Sequence, residues 1–443
     1  MKFYLPNFED LVDPEYDFLA DQPSPKRGDR WLHDRFAHEF FKAPIFDGML
    51  VSKASLSQIS EKYIRRAGGI HPFTRLDPSI PAMGDCGAFT YLLSEKPVYT
   101  VQQTLDFYQE LGFDYGVSLD HLSFVTIEML ESALKQGKIK EKWWQSKTNE
   151  QIQSERFELT LENAQEFLDL HTRQKLPFQP IGIAQGSSPE RYYSAVEQLI
   201  KMGYQHIALG GLIRSSDEDI IAILKRIQPL INSGIQVHVF GVARLSLIPA
   251  FMSLGVTSAD SAAPLRRAFL SEKNYWVTGG PPYEAIRIPE VDSRQSKRGV
   301  YSVEKVLQGN GHLSLETLAE LEQKALASLR AYDKGEVSLD DALEAVLEYD
   351  RLYGDKRDHR TAYQRTLTAK PWQKCGCSIC KAIGIEVVIF RGNNRNRRRG
   401  FHNVKTFYEQ WQYIRDHPEL LNQVEKGMKE TPLQQLILGE VWS

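Results

Sequence analysis

A repeating alternation between about residues 113 and 264 constrains the fold most: short apolar runs are separated there by helical segments. This alternation is typical of successive βα units around a parallel sheet. Each strand candidate is apolar in its middle. The candidates are FDYGVSLD ending at Asp120, QPIGIAQG ending at Gly186, HIALGG ending at Gly211, VHVFGVA ending at Ala243 and TSAD ending at Asp260.

The segments between these strands have helix signals. Ser188 and Pro189 form an N-cap and first-turn pair before ERYYSAVEQLIKMG, and DEDIIAILKRIQPLI follows Ser215 and Ser216. A doubly wound open sheet is the alternative, but it normally has a glycine fingerprint after its first strand. Neither GxGxxG nor GxxxxGK[ST] occurs in the sequence. The pattern therefore favours a (β/α)8 barrel with its active site at the carboxyl ends of the strands.

The remaining segments predict the domain organisation. Residues 1–43 are irregular and read as an N-terminal extension, and APIFDGMLVS, ending at Ser52, is the first strand candidate. Residues 44–300 are predicted to form the barrel. Residues 301–443 are predicted to form a helical segment that includes a cysteine-rich module and an Arg-rich loop.

The cysteine-rich module predicts a metal site. Cys375, Cys377 and Cys380 lie within six residues, and His402 follows after a further 21. Three thiolates and one imidazole complete a tetrahedral zinc shell, and closed shells of this kind are structural. Reduced cysteines in a turn, with His402 exposed, are the alternative.

Positive charge is concentrated in the same region of the chain. Residues 351–410 contain 14 Lys and Arg against 4 Asp and Glu, whereas the whole chain has a net charge of −3. Guanidinium groups bind phosphates through charge and paired hydrogen bonds. The segment FRGNNRNRRRG is therefore predicted to be a phosphate-binding loop, with a solvated charged loop as the alternative; its arginines are Arg391, Arg395, Arg397, Arg398 and Arg399.

Three carboxylates at predicted strand ends are candidate catalytic groups: Asp85, Asp120 and Asp260. An enzyme that forms a covalent glycosyl intermediate needs a carboxylate nucleophile and a second group that transfers protons. Gln185 and the backbone at Gly210 and Gly211 have the donors and acceptors that read a planar heterocycle. The alternative is that each Asp is an ordinary helix cap or turn residue.

Composition excludes several classes of protein. No apolar run reaches the roughly 18 residues of a membrane span, and the acidic N-terminus differs from a signal peptide. Four cysteines in 443 residues do not make a disulfide framework. We therefore expect a cytoplasmic protein without a membrane partner.

Taken in order along the chain, these motifs resemble the guanine transglycosylase superfamily, whose members exchange guanine for a 7-deazaguanine within a polynucleotide. The matches are DCGAF at Asp85, the strand-end Asp120, GIAQG at Gln185, LGG at Gly211, FGVA at Gly241, ADSAAP at Asp260 and the CxCxxC and His set. Within the superfamily, the long opening segment resembles DpdA proteins, which install 7-cyano-7-deazaguanine (preQ0) in DNA.

The resemblance implies a role for each residue. Asp260 is the nucleophile at the sugar C1′ and Asp85 is the general acid and base. Asp120, Gln185 and the Gly210–Gly211 backbone bind the base. The resemblance also implies a (β/α)8 barrel with an inserted module held by structural zinc.

The resemblance implies DNA and a 7-deazaguanine base as partners, and the resemblance to DpdA systems leaves open a companion ATPase that opens the DNA. The segment after Asp260 differs from that of the tRNA enzymes, and its Arg266 and Arg267 are candidate backbone contacts. Two other functions stay open, a tRNA-guanine transglycosylase of the queuosine or archaeosine type and a noncatalytic nucleic-acid-binding subunit. A zinc-dependent hydrolase is disfavoured because four protein ligands leave no position for water.

Overall fold

The computed structural model describes residues 1–7, 9–231, 234–291, 303–311, 313–353 and 357–417. Its strands are β1 (Lys2–Pro6), β2 (Gly48–Ser52), β3 (Ala82–Asp85), β4 (Tyr115–Val117), β5 (Gln179–Ala184), β6 (His206–Leu209), β7 (Gln236–Val239), β8 (Ser258–Asp260), β9 (Tyr275–Val277), β10 (Gly280–Tyr283), β11 (Ile286–Arg287) and β12 (Ile389–Phe390).

Strands β1 to β8 form a closed barrel in which every neighbouring pair is parallel. Strand β8 closes the barrel against β1, with Asp260 in register with Tyr4. Helices separate most of the consecutive strands. The predicted (β/α)8 barrel is confirmed.

The α-helices of the described chain are α1 (Arg30–His33), α2 (Gln58–Ala67), α3 (Ile70–Thr74), α4 (Val101–Leu111), α5 (Ile127–Lys135), α6 (Asn149–Gln174), α7 (Pro189–Met202), α8 (Asp217–Ile231), α9 (Ile248–Ser253), α10 (Ala263–Leu270), α11 (Val303–Gly309), α12 (Leu315–Lys334), α13 (Leu339–Asp350), α14 (Arg360–Ala369), α15 (Pro371–Lys374), α16 (Ser378–Ile383) and α17 (Gly392–Asp416). No helix among the described residues is both long and apolar enough to cross a bilayer.

Local sequence explains the bounds of helix α7. The Ser188 hydroxyl accepts a hydrogen bond from the backbone N–H of Arg191, and Pro189 occupies the first turn, where its missing N–H costs nothing. The helix ends at Gly203, whose φ of 112° lies in the left-handed region. Serine side chains cap α12 and α13 in the same way.

The barrel interior is filled by apolar side chains from successive strands. One buried cluster joins Tyr4, Leu50, Met83, Val117, Ile181, Ile183 and Ala208, which come from β1 to β6. Close packing of this kind makes the barrel a solid core rather than a pore.

The chain divides into two compact units. The first contains the barrel and comprises residues 1–9, 46–262 and, within the described chain, 411–417; the second comprises residues 10–45 and 263–410. The predicted barrel boundaries of 44 and 300 therefore differ from the observed ones. Residues 292–300 and 418–443, which the predicted domains include, lie outside the described residues.

The predicted N-terminal extension is wrong for residues 2–6, because they form the first strand of the barrel. Four of the five residues in KFYLP are buried. The strand is short and ends at Pro6, a residue type that is uncommon in strands. Among the described residues between β1 and β2, the α-helical structure is limited to the four-residue helix α1, so the βα rhythm that revealed the later strands is missing there.

Candidate active site and metal centre

The barrel places three carboxylates at one rim. Asp85 is the last residue of β3, Asp260 is the last residue of β8, and Asp120 lies three residues beyond the end of β4. Because the strands are parallel, their carboxyl ends lie at the same end of the barrel. The structure therefore brings together the three acids that the sequence analysis selected.

Asp120 is buried and held through both carboxylate oxygens. The Cys86 thiol donates to Oδ1 over 3.0 Å, and Nε2 of Gln185 donates to Oδ2 over 2.5 Å. The Tyr91 hydroxyl lies 3.0 Å from the Cys86 sulfur and donates to the Asp120 carbonyl over 3.1 Å. Burial raises the pKa of Asp120, and the hydrogen bonds from Cys86 and Gln185 oppose that rise.

Gln185 keeps one polar atom available. Its Oε1 is buried and has no hydrogen-bond partner within the described residues. Gly211 has a φ of 80°, in the left-handed region, and a Cβ at that position would lie 2.8 Å from this oxygen. The glycine thus keeps open a small space beside an acceptor that an N–H donor of a ligand can fill.

Asp85 has an unusual acidity for an aspartate. Burial, followed by the negative charge of Asp120, raises its pKa from 3.8 to about 7, and the charge of Asp260 adds to the rise. Hydrogen bonds from the Gly87 backbone N–H and the Ser52 side chain act in the opposite direction. A carboxyl group with a pKa near neutrality can both give and take a proton under ordinary conditions.

Asp260 is fixed through one of its two oxygens. Its Oδ1 accepts from the backbone N–H of Gly241 over 2.8 Å and lies 3.2 Å from Nε2 of His238. The other ring nitrogen of His238, Nδ1, lies 2.9 Å from the Ser258 hydroxyl. No residue in the described part of the chain hydrogen-bonds to Oδ2 of Asp260, so this oxygen remains available for reaction.

The cysteine-rich module gathers four ligand atoms in the second unit. Nδ1 of His402 lies 3.5 Å from each of the Cys375, Cys377 and Cys380 sulfurs, and all four atoms lie within 4.8 Å of one another. Zinc bonds of about 2.3 Å to sulfur and about 2.0 Å to nitrogen place those atoms about 3.5 Å apart across a tetrahedral angle. The donor set and its spacing therefore fit a tetrahedral metal ion.

Surrounding residues orient the imidazole of this cluster. Nε2 of His402 lies 2.7 Å from the carbonyl oxygen of Trp276, so the nitrogen facing away from the thiols is occupied. The Tyr275 ring stacks on the imidazole with centroids 4.2 Å apart, and its hydroxyl lies 3.1 Å from the Cys380 sulfur. A carbonyl on the distal nitrogen is the usual support for a metal-binding histidine.

The prediction of an Arg-rich phosphate-binding loop is wrong for most of its residues. Residues 392–400 of the segment are the first part of helix α17, and Arg391, Arg395, Arg398 and Arg399 are buried. Arg397 is about a quarter exposed; it donates to a backbone carbonyl of Leu11 and pairs with Asp10.

The buried guanidinium groups form hydrogen bonds to carboxylates and carbonyl oxygens within the second unit. Arg395 bonds to Glu386 and Asp21, and Arg391 bonds to Asp21 and Glu322. Arg399 is wholly buried and donates to backbone carbonyls, including that of Ala268 over 2.7 Å. These cations are used to hold the unit together, so a phosphate cannot reach them.

The two arginines after Asp260 lie on α10, in the second unit. Arg266 and Arg267 are both partly buried, and burial lowers the pKa of Arg267. Their predicted role as backbone contacts stays a prediction.

Two comparisons with known proteins identify the family. Residues 46–271, which include seven of the eight barrel strands, match a family model described as queuine tRNA-ribosyltransferase. The chain is also 38% identical over 429 residues to a protein of Salmonella montevideo named DNA-guanine transglycosylase, covering 93% of this chain and 97% of that protein. The chain belongs to the queuine tRNA-ribosyltransferase family.

Membership of the queuine tRNA-ribosyltransferase family makes the chain a pentosyltransferase that exchanges guanine in nucleic acid. Sequence reasoning missed three groups at the site of this family member. Cys86 and Tyr91 contact Asp120, and His238 contacts Asp260. Cys86 lies inside the DCGAF motif but had no role assigned to it, whereas His238 and Tyr91 belong to no recognisable motif. The histidine inside the otherwise apolar run VHVF was the one available signal, because a buried polar side chain needs a partner.

Proposed function

We propose that this chain replaces guanine in DNA with a 7-deazaguanine, preQ0, through a covalent intermediate on Asp260. The observation that carries the proposal is the cluster of Asp85, Asp120 and Asp260 at the barrel rim, in a chain 38% identical to a DNA-guanine transglycosylase. Two carboxylates with different environments can perform different tasks in one reaction.

In the first half of the reaction, Oδ2 of Asp260 attacks C1′ of the deoxyribose. A bond forms between this oxygen and C1′ while the bond between C1′ and the guanine nitrogen breaks. Gly241 and His238 hold Oδ1, so the carboxylate presents its other oxygen to the sugar. The neutral Asp85 carboxyl gives its proton to the departing guanine.

In the second half, the carboxylate of Asp85 takes the ring N–H proton of the incoming base. That nitrogen attacks C1′ and displaces Asp260. Two displacements at the same carbon retain the configuration of the glycosidic bond. A pKa of about 7 suits Asp85 to both transfers, because the acid and its conjugate base are both populated near neutrality.

Asp120 and Gln185 bind the base in this proposal. The carboxylate of Asp120 accepts from N–H groups on the heterocycle, and Oε1 of Gln185, which lacks a partner in the described residues, accepts another. Gly211 leaves room for the base to approach the backbone. The target nucleotide must leave its stack to reach this rim, so flipped or single-stranded DNA is the expected substrate.

The metal of the second unit is zinc in this proposal. Three thiolates and an imidazole at tetrahedral spacing are the donor set that zinc prefers, and they leave no free coordination position. The ion holds the polypeptide around Cys375, Cys377, Cys380 and His402 and takes no part in the transfer of the base. Reduced cysteines fit a cytoplasmic enzyme.

Two polymers are candidate substrates, DNA and tRNA. The family model is described by a tRNA activity, so a tRNA-guanine transglycosylase is the second candidate. The relative covering 93% of the chain is named for DNA, which favours DNA. A noncatalytic subunit is disfavoured because Asp85 and Asp260 are both present at the rim.

Labelled preQ0 tests the proposal directly. The wild type, Asp260→Asn and Asp169→Asn would each be incubated with labelled preQ0 and either DNA or tRNA, with and without a companion ATPase. Asp169 is an exposed residue of α6, so its variant controls for the loss of one carboxylate. We expect label in DNA with the wild type and with Asp169→Asn, and none with Asp260→Asn.

Other results would change the conclusion in different ways. Label in tRNA alone would retain the chemistry and replace the substrate. Label in DNA with Asp260→Asn as high as with the wild type would exclude Asp260 as the nucleophile. Binding without label under every condition would favour the noncatalytic subunit.

A further inference from the structure

Because most arginines of the Arg-rich segment are buried, they do not account for contacts to the nucleic-acid backbone, and a lysine-rich segment of the barrel unit offers a candidate surface. Residues 127–147, between β4 and α6, contain five Lys and three Glu. We propose that four of these lysines bind the phosphates of the nucleic-acid substrate. This lysine arm consists of Lys135, Lys138, Lys140 and Lys142.

The four ammonium groups are free to bind a ligand. All four residues are exposed, and none has a carboxylate within 4.0 Å in the described residues. Lys147, further along the same segment, differs because Glu95 and Glu155 both pair with it. Lysine is a strongly hydrated point charge that binds phosphates regardless of base sequence, which suits a contact to the backbone.

A small hydrophobic core gives the lysine arm a fixed base. Val125, Leu130, Trp144 and Ile152 form a buried cluster, and half-buried residues that include Ile139 and Trp143 pack against it. Lys138, Lys140 and Lys142 therefore alternate with or flank side chains that are anchored in this cluster. An anchored segment loses less conformational entropy when it binds than a free loop does.

Hydrogen bonds tie the segment that carries the arm, and the adjoining helix α6, to the connection that follows β3. Nε1 of Trp143 donates to the carbonyl of Leu93 over 3.2 Å. The buried Arg156 donates to the carbonyls of Leu92 and Ser94 on one side and of Leu122 on the other. The β3 connection carries Cys86 and Tyr91, so the segment that orients Asp120 is linked to the segment that presents the lysines.

The position of the arm in the chain explains its function. The segment that carries the arm follows the carboxyl end of β4, and Asp85, Asp120 and Asp260 lie at this same end of the barrel. A nucleotide whose base enters this rim brings its neighbouring phosphates to the loops around the rim. The inference rests on the proposed function, because it requires that the nucleic acid approaches from this side of the barrel.

A matched pair of variants tests the arm. One variant carries Lys135→Gln, Lys138→Gln, Lys140→Gln and Lys142→Gln. The control carries Lys62→Gln, Lys175→Gln, Lys201→Gln and Lys225→Gln, which also removes four exposed lysines, all from helices or a helix end on the outside of the barrel. The measurements are the Kd for a fluorescent guanine-containing oligonucleotide at several salt concentrations, and the kcat and KM for base exchange.

For the arm variant we expect a Kd that is about 10- to 100-fold higher near 0.1 M salt, and a plot of log Kd against log salt with a slope smaller by about 3. KM should rise with Kd while kcat at saturation stays within about twofold. The control should match the wild type, and replacing the four arm lysines with Arg should restore binding. Each variant is checked for an unchanged melting temperature.

A Kd and a salt slope equal to those of the control would overturn the inference. Failure of the proposed function would give a different set of results in the same measurements. In that case the wild type exchanges no base, whereas the comparison of Kd between the arm variant and the control still decides whether the arm binds the backbone. A wild type with no affinity for the oligonucleotide would overturn both.

Discussion

Nε2 of His238 lies 3.2 Å from Oδ1 of Asp260, and both side chains are buried in the barrel. The histidine is held from its other side by the Ser258 hydroxyl and is bordered by the rings of Tyr4 and Phe240. Its orientation is therefore set by its neighbours rather than by solvent. The pair leaves one oxygen of Asp260 for attack and reserves the other for hydrogen bonds.

Replacing His238 should slow the chemical step more than substrate binding. His238→Phe removes a hydrogen bond to a charged carboxylate, which is worth about 1.5–3 kcal/mol, so kcat for base exchange should fall about 10- to 100-fold. KM for nucleic acid should change by less than about threefold, because His238 is buried beneath the rim. Steady-state kinetics with labelled base provides both values.

His206 offers the matched control for this prediction. It is also buried in a barrel strand, but neither of its ring nitrogens has a partner in the described residues, and burial lowers its pKa to about 3. His206→Leu should leave kcat unchanged. His238→Gln retains a donor and should recover part of the lost rate; a His238→Phe enzyme with the kcat of His206→Leu would contradict the proposed role.

The sequence was sufficient to predict the barrel and the acids at its rim, because both follow from short-range patterns. Strand ends can be located from an apolar run that stops at a polar residue, and parallel strands then bring those ends together. His238 could not be assigned to Asp260 in this way. Its partner is 22 residues away, and their contact depends on the register of β7 against β8.

Asp85 should make stability depend on pH. In the folded chain its pKa is about 7, whereas the unfolded value is 3.8, so the unfolded chain releases this proton first as the pH rises. The wild type therefore loses stability as the pH rises from the lower to the higher of these two pKa values. Asp85→Asn has no carboxyl group at this position and does not. We expect the free energy of unfolding of Asp85→Asn, relative to the wild type, to increase by roughly 2–3 kcal/mol from about pH 5 to about pH 8.

Urea unfolding at the two pH values measures this difference. Asp77→Asn is the control, because Ser79 lowers the pKa of this exposed aspartate below 3.8. The Asp77 side chain is ionised in both the folded and the unfolded chain from pH 5 to pH 8. The free energy of unfolding of Asp77→Asn, relative to the wild type, should therefore be the same at the two pH values. An equally flat result for Asp85→Asn would show that Asp85 is ionised in the folded enzyme from pH 5 upward, which would disagree with the proton transfers proposed for it.

The Arg-rich segment shows where composition misleads. Charge density is visible in the sequence, but the burial of each guanidinium depends on acids that are distant along the chain. Asp21 is 374 residues from Arg395, and Glu322 is 69 residues from Arg391. No local pattern predicts such pairs, so a buried ion-pair network and an exposed phosphate-binding loop look alike before folding.

Substitution in this network should therefore reduce stability rather than affinity. Arg395→Met removes one of the two arginines that pair with each of Glu386 and Asp21, whose other partners are Arg330 and Arg391, and should cost about 3 kcal/mol of unfolding free energy. Arg397→Met, at the partly exposed position, should cost about 1 kcal/mol or less. Chemical unfolding compares the two. If Arg395→Met is as stable as the wild type but binds DNA more weakly, the guanidinium contacts phosphate after all.

Metal content gives the most direct test of the second unit. The purified wild type should contain about one zinc per chain by elemental analysis, and Cys377→Ser should contain little, because a hydroxyl is a poor replacement for a thiolate ligand. Cys86→Ser is the control: Cys86 is equally buried, yet its sulfur contacts Asp120 and Tyr91 in the barrel. Its variant should retain the full metal content.

The same variants separate a structural metal from a catalytic one. Loss of zinc should lower the melting temperature of Cys377→Ser and should reduce activity only in proportion to the folded fraction, because the ion is fully coordinated by protein. Cys86→Ser should keep its melting temperature close to that of the wild type. A Cys377→Ser protein that stays fully folded but is inactive would instead assign the ion to the reaction.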